Sequence, residues 1–584
     1  MKKIAVIVQQ KETDSTITGL SKLGAIHIEH VQAPTGEDIN AIKDNLSLIN
    51  DVNAILSSPE FASESVPVGQ KPLTDWKFIA KHVIDLYKRL DQLKEYAATL
   101  KNRISEWERW GDFAPEAIQD LAGKNVYVKL FQIPQKELKN LPLGLIVKQI
   151  FSSAGLAHCV IISKENIALH FKEINLPKLG LKKMQERLSE DERATQKIRQ
   201  EIQNHLVYLP GLLAIKKELE KKLELREAAR GMAQAGELSY LTGYIPFDLL
   251  NVMEEKARKE KWGILISEPA RDDNVPTLLR NPRWVSLIKP VLKLLEIVPG
   301  YKELDISLVF LLFFAAFFGI LIGDAGYGAV YLALTFFAQK KLSKKIKDRS
   351  AFLLFYGLSF CAMIWGSLTG NFFGPELLET IGIKPFVPAL NEPKVMQAFC
   401  FFLGATHLSI GHGWRAILKL PSLAALADIG WICVLWSAFF FAKMLILGDT
   451  LPDFVKWVLF AGMALVVLFT NPQKNMLKGI GEGLGTLALS LMNNFTDVVS
   501  YVRLFAVGLA GVAIAQTTNI MARGLGDGII MGLAGILIFI IGHSLNIVLG
   551  PISVLVHGVR LNVLEFSGHA GITWSGVAYK PLKG

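Results

Sequence analysis

Hydrophobic and polar positions are distributed differently in the two halves of this chain. Residues 1–300 mix apolar positions with many Lys, Glu and Arg residues, whereas the chain from about residue 305 onward is a series of long apolar runs. The first pattern is typical of a soluble domain and the second of a domain that crosses a membrane repeatedly. We therefore predict an N-terminal soluble arm at 1–300 and a membrane domain at 301–584.

Short apolar strands and two long heptad patterns predict the organisation of the arm. Apolar residues recur at alternating steps of three and four over about 74–110, and less regularly over about 181–233. These seams predict an antiparallel coiled coil, with a soluble helical bundle as the alternative. The remaining segments, about 1–70 and 236–270 with 113–175, are predicted to form two small α+β lobes.

Eight apolar runs in the second half predict an α-helical polytopic domain with eight transmembrane helices. They lie at about 305–322, 326–339, 351–369, 395–417, 425–447, 454–470, 483–522 and 529–566. The last two are long enough that they must tilt or kink, because about 40 helical residues extend ~60 Å across a hydrocarbon core of ~30 Å. Basic residues concentrate in the turns that this topology places inside the cell, so we expect both termini in the cytoplasm and a multi-pass protein of the cell (inner) membrane.

Composition excludes several other classes of protein. The net charge of +10 is explained by basic cytoplasmic loops rather than by nucleic-acid binding. The four cysteines are widely spaced, which indicates neither a disulfide framework nor a metal site. The chain has no G-x-x-x-x-G-K-[ST] phosphate loop and begins with MKKIAVIV, which is too short and polar for a signal peptide. We expect no cofactor, no metal and a cytoplasmic arm.

A single arginine, Arg503, lies near the centre of the apolar run 483–522. A charge at mid-membrane costs about 2.5–3.5 kcal/mol or more, so such a residue indicates a functional site. Arginine does not release its proton at working pH, and Arg503 is therefore a fixed positive charge that must face a carboxylate. Membrane carboxylates of this chain are few and poorly placed, so we expect a mobile carboxylate on a partner subunit.

A polar stripe follows one face of the last predicted helix. Steps of three and four residues from His543 pass through Asn546, Gly550, Ser553 and His557 and end at Arg560. One such residue would be explained by an interhelical hydrogen bond, but the complete stripe favours an aqueous pathway or a charged interface. Glu565 is either the mouth of that pathway or a solvated end group.

The two long helices run in opposite directions, which divides the candidate residues into two groups. Asn493, Asp497 and Glu565 are expected on the cytoplasmic side of Arg503, and Asp324 and His543 on the external side. This arrangement predicts two half-channels that do not join. The full set of half-channel candidates is Asp324, Asn493, Asp497, Ser500, His543, Asn546, Ser553, His557 and Glu565.

Several segments resemble the membrane stator subunit of V/A-type rotary ATPases, called subunit a or subunit I. The most specific are SYVRLFAVGLAG at 500–511, GHSLNIVLG at 542–550 and VHGVRLNVLEF at 556–566, and further matches extend along the whole chain. The chain departs from the family at Gly511 and Gly550, where ionisable channel residues are expected. The compact arm is similar to the prokaryotic form, subunit I.

The resemblance implies a non-catalytic stator subunit of an ATP-driven ion pump or ATP synthase. Arg503 matches the essential arginine that faces the carboxylate of a rotating proteolipid ring, and Arg560 matches its companion. The implied ion is H⁺ or Na⁺. The implied partners are the proteolipid c/K ring, peripheral-stalk subunits of E/G type, the central-stalk socket of d/C type and membrane lipid. The residues alone also allow a secondary transporter for an anionic substrate, or a receptor or scaffold.

Overall fold

The computed structural model describes residues 1–61, 75–142, 144–343, 346, 348–376, 382, 384–470, 476–524 and 528–583. Parts of three predictions lie outside the described residues: the lobe segment 62–70, the beginning of the coiled coil at residue 74, and part of the loop between the sixth and seventh predicted spans. The chain divides into two compact units. One contains residues 3–267 with 581–584, and the other residues 1–2 with 268–580.

Two sheets form the strand content of the first unit. Strand β1 (Lys2–Gln9) buries every second residue, Ile4, Val6 and Val8, as expected when one face of a strand packs on a core. The nine strands are β1 Lys2–Gln9, β2 His27–Glu29, β3 Tyr127–Pro134, β4 Ile146–Ser153, β5 Leu156–Ser163, β6 Lys172–Ile174, β7 Ala233–Ala235, β8 Leu238–Ile245 and β9 Gly263–Ser267. The first sheet has the order β2-β8-β1-β9 with β7 beside β8, and the second has the order β4-β5-β3-β6.

Seven α-helices among the described residues complete the first unit. They are α1 Thr13–Leu23, α2 Glu37–Leu56, α3 Trp76–Trp107, α4 Pro115–Ala122, α5 Leu181–Asn204, α6 Leu209–Arg230 and α7 Leu250–Glu260. Helix α3 packs against α5 in antiparallel sense, because His82 contacts Glu201 at one end while Lys101 contacts Glu192 further along. The pairing agrees with the predicted direction, whereas the coiled coil itself stays a prediction.

Helix α2 is an element that the sequence analysis did not identify. It packs on α3 and α6, and Val52 and Leu56 join Val83 and Ile202 in one buried cluster. The structure therefore has a third long helical element beside the two predicted ones. Its end is fixed by Glu60, which hydrogen-bonds to Lys94 of α3 and Arg199 of α5.

Helices make up most of the second unit. They are α8 Lys289–Leu294, α9 Ser307–Ile322, α10 Ala325–Leu342, α11 Ser350–Thr369, α12 Pro393–Lys419, α13 Ala425–Ala442, α14 Phe454–Phe469, α15 Met476–Ser500, α16 Val502–Arg523, α17 Ile529–Ser553 and α18 Ser567–Ala570. Three π-helical segments occur among the described residues, at Lys443–Leu447, Val554–Gly558 and Leu561–Phe566. The last two connect α17 to α18.

Four helical segments of the described chain are long and apolar enough to cross a membrane. They are Ser350–Thr369, Ala425–Leu447, Leu487–Arg523 and Ile529–Ala570. The bent pair α9 and α10 adds a fifth if it counts as one span, and α14 is a shorter apolar helix. The protein is thus a multi-pass membrane protein, while the predicted number of eight spans is not confirmed by length and composition.

The reversal between α9 and α10 occurs at Gly323 and Asp324, where two glycines flanking an aspartate predict a tight turn. The two helix axes differ by 119°. Gly323 has φ +65°, a left-handed conformation that glycine adopts without strain. Asp324 then caps α10 by accepting hydrogen bonds from the backbone N–H groups of Gly326 and Tyr327.

Helices α16 and α17 form a closely packed antiparallel hairpin. At Gly535 a Cβ atom would lie 2.5 Å from the carbonyl oxygen of Ala522, and at Gly542 it would lie 2.3 Å from Thr518 Oγ1. Only glycine allows the two backbones to approach this closely. The opposite face of α17 is strongly exposed and apolar, with Ile529, Ile530 and Leu533 among its residues.

Candidate functional site

The helix that carries Arg503 is interrupted at Tyr501, so the predicted continuous helix over 483–522 is divided into α15 and α16. The Tyr501 side chain is buried, and its hydroxyl lies 2.8 Å from His407 Nδ1. A Cβ atom at Gly404 would lie 2.6 Å from the Tyr501 ring, so the ring fits only because residue 404 is glycine. The interruption places Arg503 in the first turn of α16.

Arg503 forms an ion pair with a carboxylate of the same chain. Its Nη2 donates to Glu565 Oε1 at 2.9 Å, and Arg560 Nε lies 3.6 Å from the same oxygen. The Glu565 side chain is 6% exposed, that of Arg503 23% and that of Arg560 56%. One nearly buried carboxylate thus lies between two arginines that retain access to the surface.

The pair is not saturated. Arg503 Nη1 and Glu565 Oε2 are both buried and have no hydrogen-bond partner among the described residues. A buried charged group with an unused donor or acceptor is costly unless another partner can reach it. The geometry leaves one N–H of Arg503 and one oxygen of Glu565 available to such a partner.

The structure corrects one expectation about this site. Glu565 is 6% exposed and pairs with Arg503, so its interpretation as a solvated end group is wrong, whereas the mobile carboxylate on a partner subunit stays a prediction. The physical reason is the π-helical segment Leu561–Phe566, which begins directly after Arg560. Hydrogen bonds of a π-helix join residues five apart, so Glu565 returns to the face of Arg560, whereas steps of three and four describe only an α-helical face.

A polar cavity of about 520 Å³ begins beside this pair. Of the predicted candidates, Asn493, Asp497, Arg560 and Glu565 line it together. The sequence analysis expected Asn493, Asp497 and Glu565 on one side of Arg503, and the structure places them around one space.

The wall of the polar cavity carries titratable residues that the sequence analysis missed. His412 Nδ1 lies 3.3 Å from Asp428 Oδ1, and His412 Nε2 lies 2.9 Å from His569 Nδ1. His569 Nε2 in turn lies 3.0 Å from Asp497 Oδ2. These four residues, Asp428, His412, His569 and Asp497, are called the His–Asp series below.

A signal for two of these residues was present in the sequence. Asp428 is a lone acid in the apolar run ALADIGWICVL, and the rule that identified Arg503 applies to it equally. His412 directly follows the matched segment LGATHLSIG at 403–411. His569 follows the last predicted span, and its contact with Asp497 depends on a fold that no local pattern reveals.

A second polar cluster contains His543 and Asn546. The Tyr327 hydroxyl lies 2.7 Å from His543 Nδ1 and accepts a hydrogen bond from Asn546 Nδ2 at 3.0 Å. His543 Nε2 lies 3.0 Å from Asn519 Oδ1. This Tyr327 cluster joins α10, α16 and α17 through buried side chains.

Asp324 lies next to the Tyr327 cluster but has a structural role. Its carboxylate accepts four backbone N–H hydrogen bonds, from Gly326, Tyr327, Phe373 and Gly374, at 2.7–3.1 Å. The side chain is buried. The four bonds hold the α9–α10 reversal against the segment that follows α11, an arrangement that the sequence did not indicate.

A mainly apolar layer separates the Tyr327 cluster from the polar cavity along α17 and its π-helical continuation. A Cβ atom at Gly550 would lie 2.7 Å from Ile322 Cδ1 and 2.8 Å from the Tyr331 hydroxyl oxygen, which donates to the carbonyl oxygen of Ile547, and Gly558 lies against Leu321 and Phe317. The polar stripe predicted from His543 to Arg560 is therefore divided. Ser553 and His557 are partly exposed on the intervening segment, and Ser500 ends α15.

Comparison with known proteins identifies the family. No family model matches the chain. The V-type ATP synthase subunit I of Borreliella burgdorferi is 31% identical over 618 residues, covering 100% of this chain and 99% of the relative. The V-type ATP synthase subunit I 1 of Treponema pallidum is 30% identical over 628 residues, with coverage of 100% and 99%. An A-type ATP synthase subunit I from Methanocaldococcus jannaschii is 27% identical over 345 residues, 52% of this chain and 48% of the relative.

One solved structure is similar to part of the chain. It is described as the crystal structure of the cytoplasmic N-terminal domain of subunit I, homolog of subunit a, of V-ATPase. It is 17% identical and covers 46% of this chain and 100% of its own, with a TM-score of 0.21. A score this low does not by itself establish a shared fold.

The fold and the site define a multi-pass membrane protein with an arginine–glutamate pair beside a polar cavity. The relatives that match over the whole length define it further. The chain belongs to the V-type ATP synthase subunit I family.

Proposed function

We propose that this chain is the non-catalytic stator subunit through which a V/A-type rotary ATPase or ATP synthase moves ions across the cell membrane. Arg503 is the essential arginine that faces a carboxylate of a proteolipid ring, and Arg560 is its companion. The polar cavity forms the cytoplasmic half-channel, and the Tyr327 cluster with His543 and Asn546 forms part of the external one. The N-terminal arm and the C-terminus lie in the cytoplasm.

The observation that carries this proposal is the unsaturated Arg503–Glu565 pair at the inner end of the polar cavity. Arg503 Nη1 lacks a hydrogen-bond partner among the described residues, and the Arg503 side chain is 23% exposed. A ring carboxylate that passes the exposed side of Arg503 meets the positive charge of the guanidinium. The fixed positive charge favours the ionised form of that carboxylate, so it must release its ion there.

Glu565 has a defined part in this cycle. While no ring carboxylate faces Arg503, Glu565 neutralises the guanidinium and limits the cost of a charge inside the membrane. When a ring carboxylate arrives, Glu565 can transfer its interaction to Arg560, whose Nε is already 3.6 Å away. The apolar layer between the two polar regions prevents ions from crossing without the ring.

The arm supplies the remaining functions in this proposal. Its α+β lobes and long helices bind peripheral-stalk subunits of E/G type and the central-stalk socket of d/C type. The apolar face of α17 contacts the proteolipid ring and lipid, which accounts for the exposure of Ile529, Ile530 and Leu533. A secondary transporter for an anion is less well supported, because the relatives that match over the whole length are named V-type ATP synthase subunit I.

The proposal is tested with Arg503→Ala in the assembled complex, reconstituted in vesicles. We expect co-purification with proteolipid and soluble ATPase subunits but loss of ATP-driven ion uptake to background. Arg503→Lys should also fail, because a lysine can lose its proton when it is desolvated. Arg560→Ala should cause a large loss.

Arg523→Ala is the matched control, because it removes an exposed arginine from the other end of the same helix. It should transport at the parental rate. If the Arg503→Ala complex transports as fast as this control, the role proposed for Arg503 is wrong. If the chain purifies alone, without proteolipid, the stator assignment is wrong.

A further inference from the structure

His407 of α12 contacts both segments that carry the arginine–glutamate pair. Its side chain is fully buried, and its imidazole lies between the rings of Phe313 and Phe566, at centroid distances of 3.8 Å and 4.3 Å and interplanar angles of 15° and 4°. Phe566 ends the π-helical segment and directly follows Glu565. On a third side, His407 Nδ1 lies 2.8 Å from the hydroxyl of Tyr501, at the break between α15 and α16. One buried ring therefore contacts the chain next to both members of the pair.

Packing alone does not account for an imidazole at this place. His407 Nε2 is buried and has no hydrogen-bond partner among the described residues, which is costly. An apolar ring of similar shape avoids this cost, and replacement of both partners of a buried hydrogen bond by apolar groups can be nearly neutral or stabilising. His407 is also not among the described residues that line the polar cavity, and it is not a member of the His–Asp series. What the imidazole adds is the contact of Nδ1 with Tyr501.

Tyr501 determines where α16 begins. Its backbone N–H donates to the carbonyl oxygen of Val498 at 3.3 Å, and its own carbonyl oxygen accepts from the N–H of Leu504 at 3.0 Å. Both bonds join residues three apart instead of the four of an α-helix, so the winding of the chain changes at Tyr501. Arg503 lies two residues later. A shift of the Tyr501 ring therefore rotates the first turn of α16 and moves the guanidinium of Arg503.

We propose that His407 is a positioning residue for Arg503. The two flanking rings hold the imidazole, Nδ1 holds the Tyr501 hydroxyl, and Tyr501 sets the distance between Arg503 and Glu565. This inference rests on the proposed function, in which Arg503 must meet each passing ring carboxylate in the same place. Misplacement of a functional group by about 1 Å can lower a rate about 100-fold, so an anchor outside the polar cavity can control transport.

The test separates the position of Arg503 from the stability of the fold. The contact between Arg503 and Glu565 is measured as the coupling between Arg503→Ala and Glu565→Gln in the unfolding equilibrium of the full chain in mixed micelles. We expect a coupling of about fivefold or more in the parental chain, as for residues in direct contact. The same cycle is then measured in two backgrounds that change His407 in opposite ways.

The first background is His407→Phe/Tyr501→Phe. It keeps an aromatic ring at both positions and removes the hydrogen bond between them, so the denaturant midpoint should stay close to the parental value. The coupling between Arg503 and Glu565 should nevertheless fall below about twofold, because the ring at position 501 is no longer held.

The second background is His407→Asn. The amide places a hydrogen-bonding group near the position of Nδ1 but leaves space between Phe313 and Phe566, so the denaturant midpoint should fall. The coupling should stay at about threefold or more, because the Tyr501 hydroxyl keeps a partner. A role of His407 in core packing alone predicts the parental coupling in both backgrounds and a change in the midpoint only.

Transport is measured on the assembled complex in vesicles, as ATP-driven uptake of H⁺ and of radioactive Na⁺ per ATP hydrolysed. We expect His407→Phe/Tyr501→Phe to lower ion uptake at least about tenfold, and His407→Asn to retain more uptake than this double variant. Thr406→Val is the matched control, because it removes a hydroxyl from the adjacent residue that donates to the carbonyl oxygen of Phe402 in the same helix. It should transport ions and show coupling like the parental protein.

The outcomes distinguish the positioning role from the function on which it rests. If both backgrounds keep the parental coupling, or if His407→Phe/Tyr501→Phe transports like Thr406→Val while Arg503→Ala does not, the positioning role is wrong and the stator function stands. If Arg503→Ala also transports, the stator function is wrong, and the coupling still decides whether His407 fixes the pair. If the double variant does not fold, Tyr501→Phe replaces it: a weaker coupling than in His407→Asn supports the proposal, and an equal or stronger one overturns it.

Discussion

The Arg503–Glu565 pair predicts a measurable coupling between two positions that are far apart in sequence. In Arg503→Ala, the Glu565 carboxylate stays 6% exposed and loses its 2.9 Å partner. Removal of one member of a buried ion pair costs about 3–5 kcal/mol. Arg560 remains at 3.6 Å and Arg503 is partly exposed, so we expect a smaller cost than this range, about 2–3 kcal/mol.

The double variant Arg503→Ala/Glu565→Gln removes the uncompensated charge. It should regain about 1–2 kcal/mol relative to Arg503→Ala, because a neutral amide is less costly to bury than a lone carboxylate. The double-mutant cycle should therefore give a coupling energy of about 1–3 kcal/mol, which is within the range of residues in direct contact.

The assay is equilibrium unfolding of the purified chain in mixed micelles, followed by tryptophan fluorescence. A difference of 2 kcal/mol corresponds to about a 30-fold change in the unfolding equilibrium, well above the error of such titrations. Arg523→Ala again serves as the control and should couple to Glu565→Gln by less than about 0.5 kcal/mol. If the Arg503 and Glu565 substitutions are additive within that limit, the pair does not form in the folded protein.

Two further predictions concern stability. Gly404→Ala should destabilise the membrane unit by about 1–3 kcal/mol, because the added Cβ would lie 2.6 Å from the Tyr501 ring. The same unfolding assay measures this loss, and a variant as stable as the parental protein would contradict the close packing of residue 404 on Tyr501. Hydrogen bonds from Lys94 and then from Arg199 lower the pKa of Glu60 in the folded protein. The ionised carboxylate therefore stabilises the fold above its unfolded pKa of about 4.3, and this stabilisation is lost as the pH falls through the lower folded pKa. Glu60→Gln should flatten the dependence of the denaturant midpoint on pH between about pH 3 and 5, and an unchanged slope would contradict the contribution.

Sequence reasoning located Arg503 and Arg560 because a charge in an apolar run is conspicuous wherever the helix lies. It did not find the contact between Arg503 and Glu565, because that contact depends on a π-helical segment. Steps of three and four residues assume an α-helix, and the residue five positions after Arg560 then points elsewhere. A change of helix type leaves no regular signal in the hydrophobic pattern.

Other differences have equally local causes. The pattern of α2 is regular, since its buried residues Ile39, Ile42, Leu46, Ile49, Val52 and Leu56 follow helical spacing, but the segment was assigned to a lobe. Asp324 is predicted as a half-channel residue because it is an acid in an apolar region, and that role stays a prediction. Its four hydrogen bonds come from backbone N–H groups, two of them beyond the end of α11, and no side-chain pattern encodes these donors.

The π-helical segment Leu561–Phe566 places Glu565, the carboxylate that both arginines contact, on the helix face that carries Arg560. This placement depends on the number of residues in the segment rather than on their composition. Relative to an α-helix, such a segment accommodates an inserted residue within a continuous backbone. Deletion of one residue between Leu561 and Leu564 would restore ordinary winding and carry the carboxylate about 100° around the axis. Arg503, Arg560 and Glu565 would all be retained, yet their contacts would be lost, so an alignment of this region must place its gaps according to the helix type.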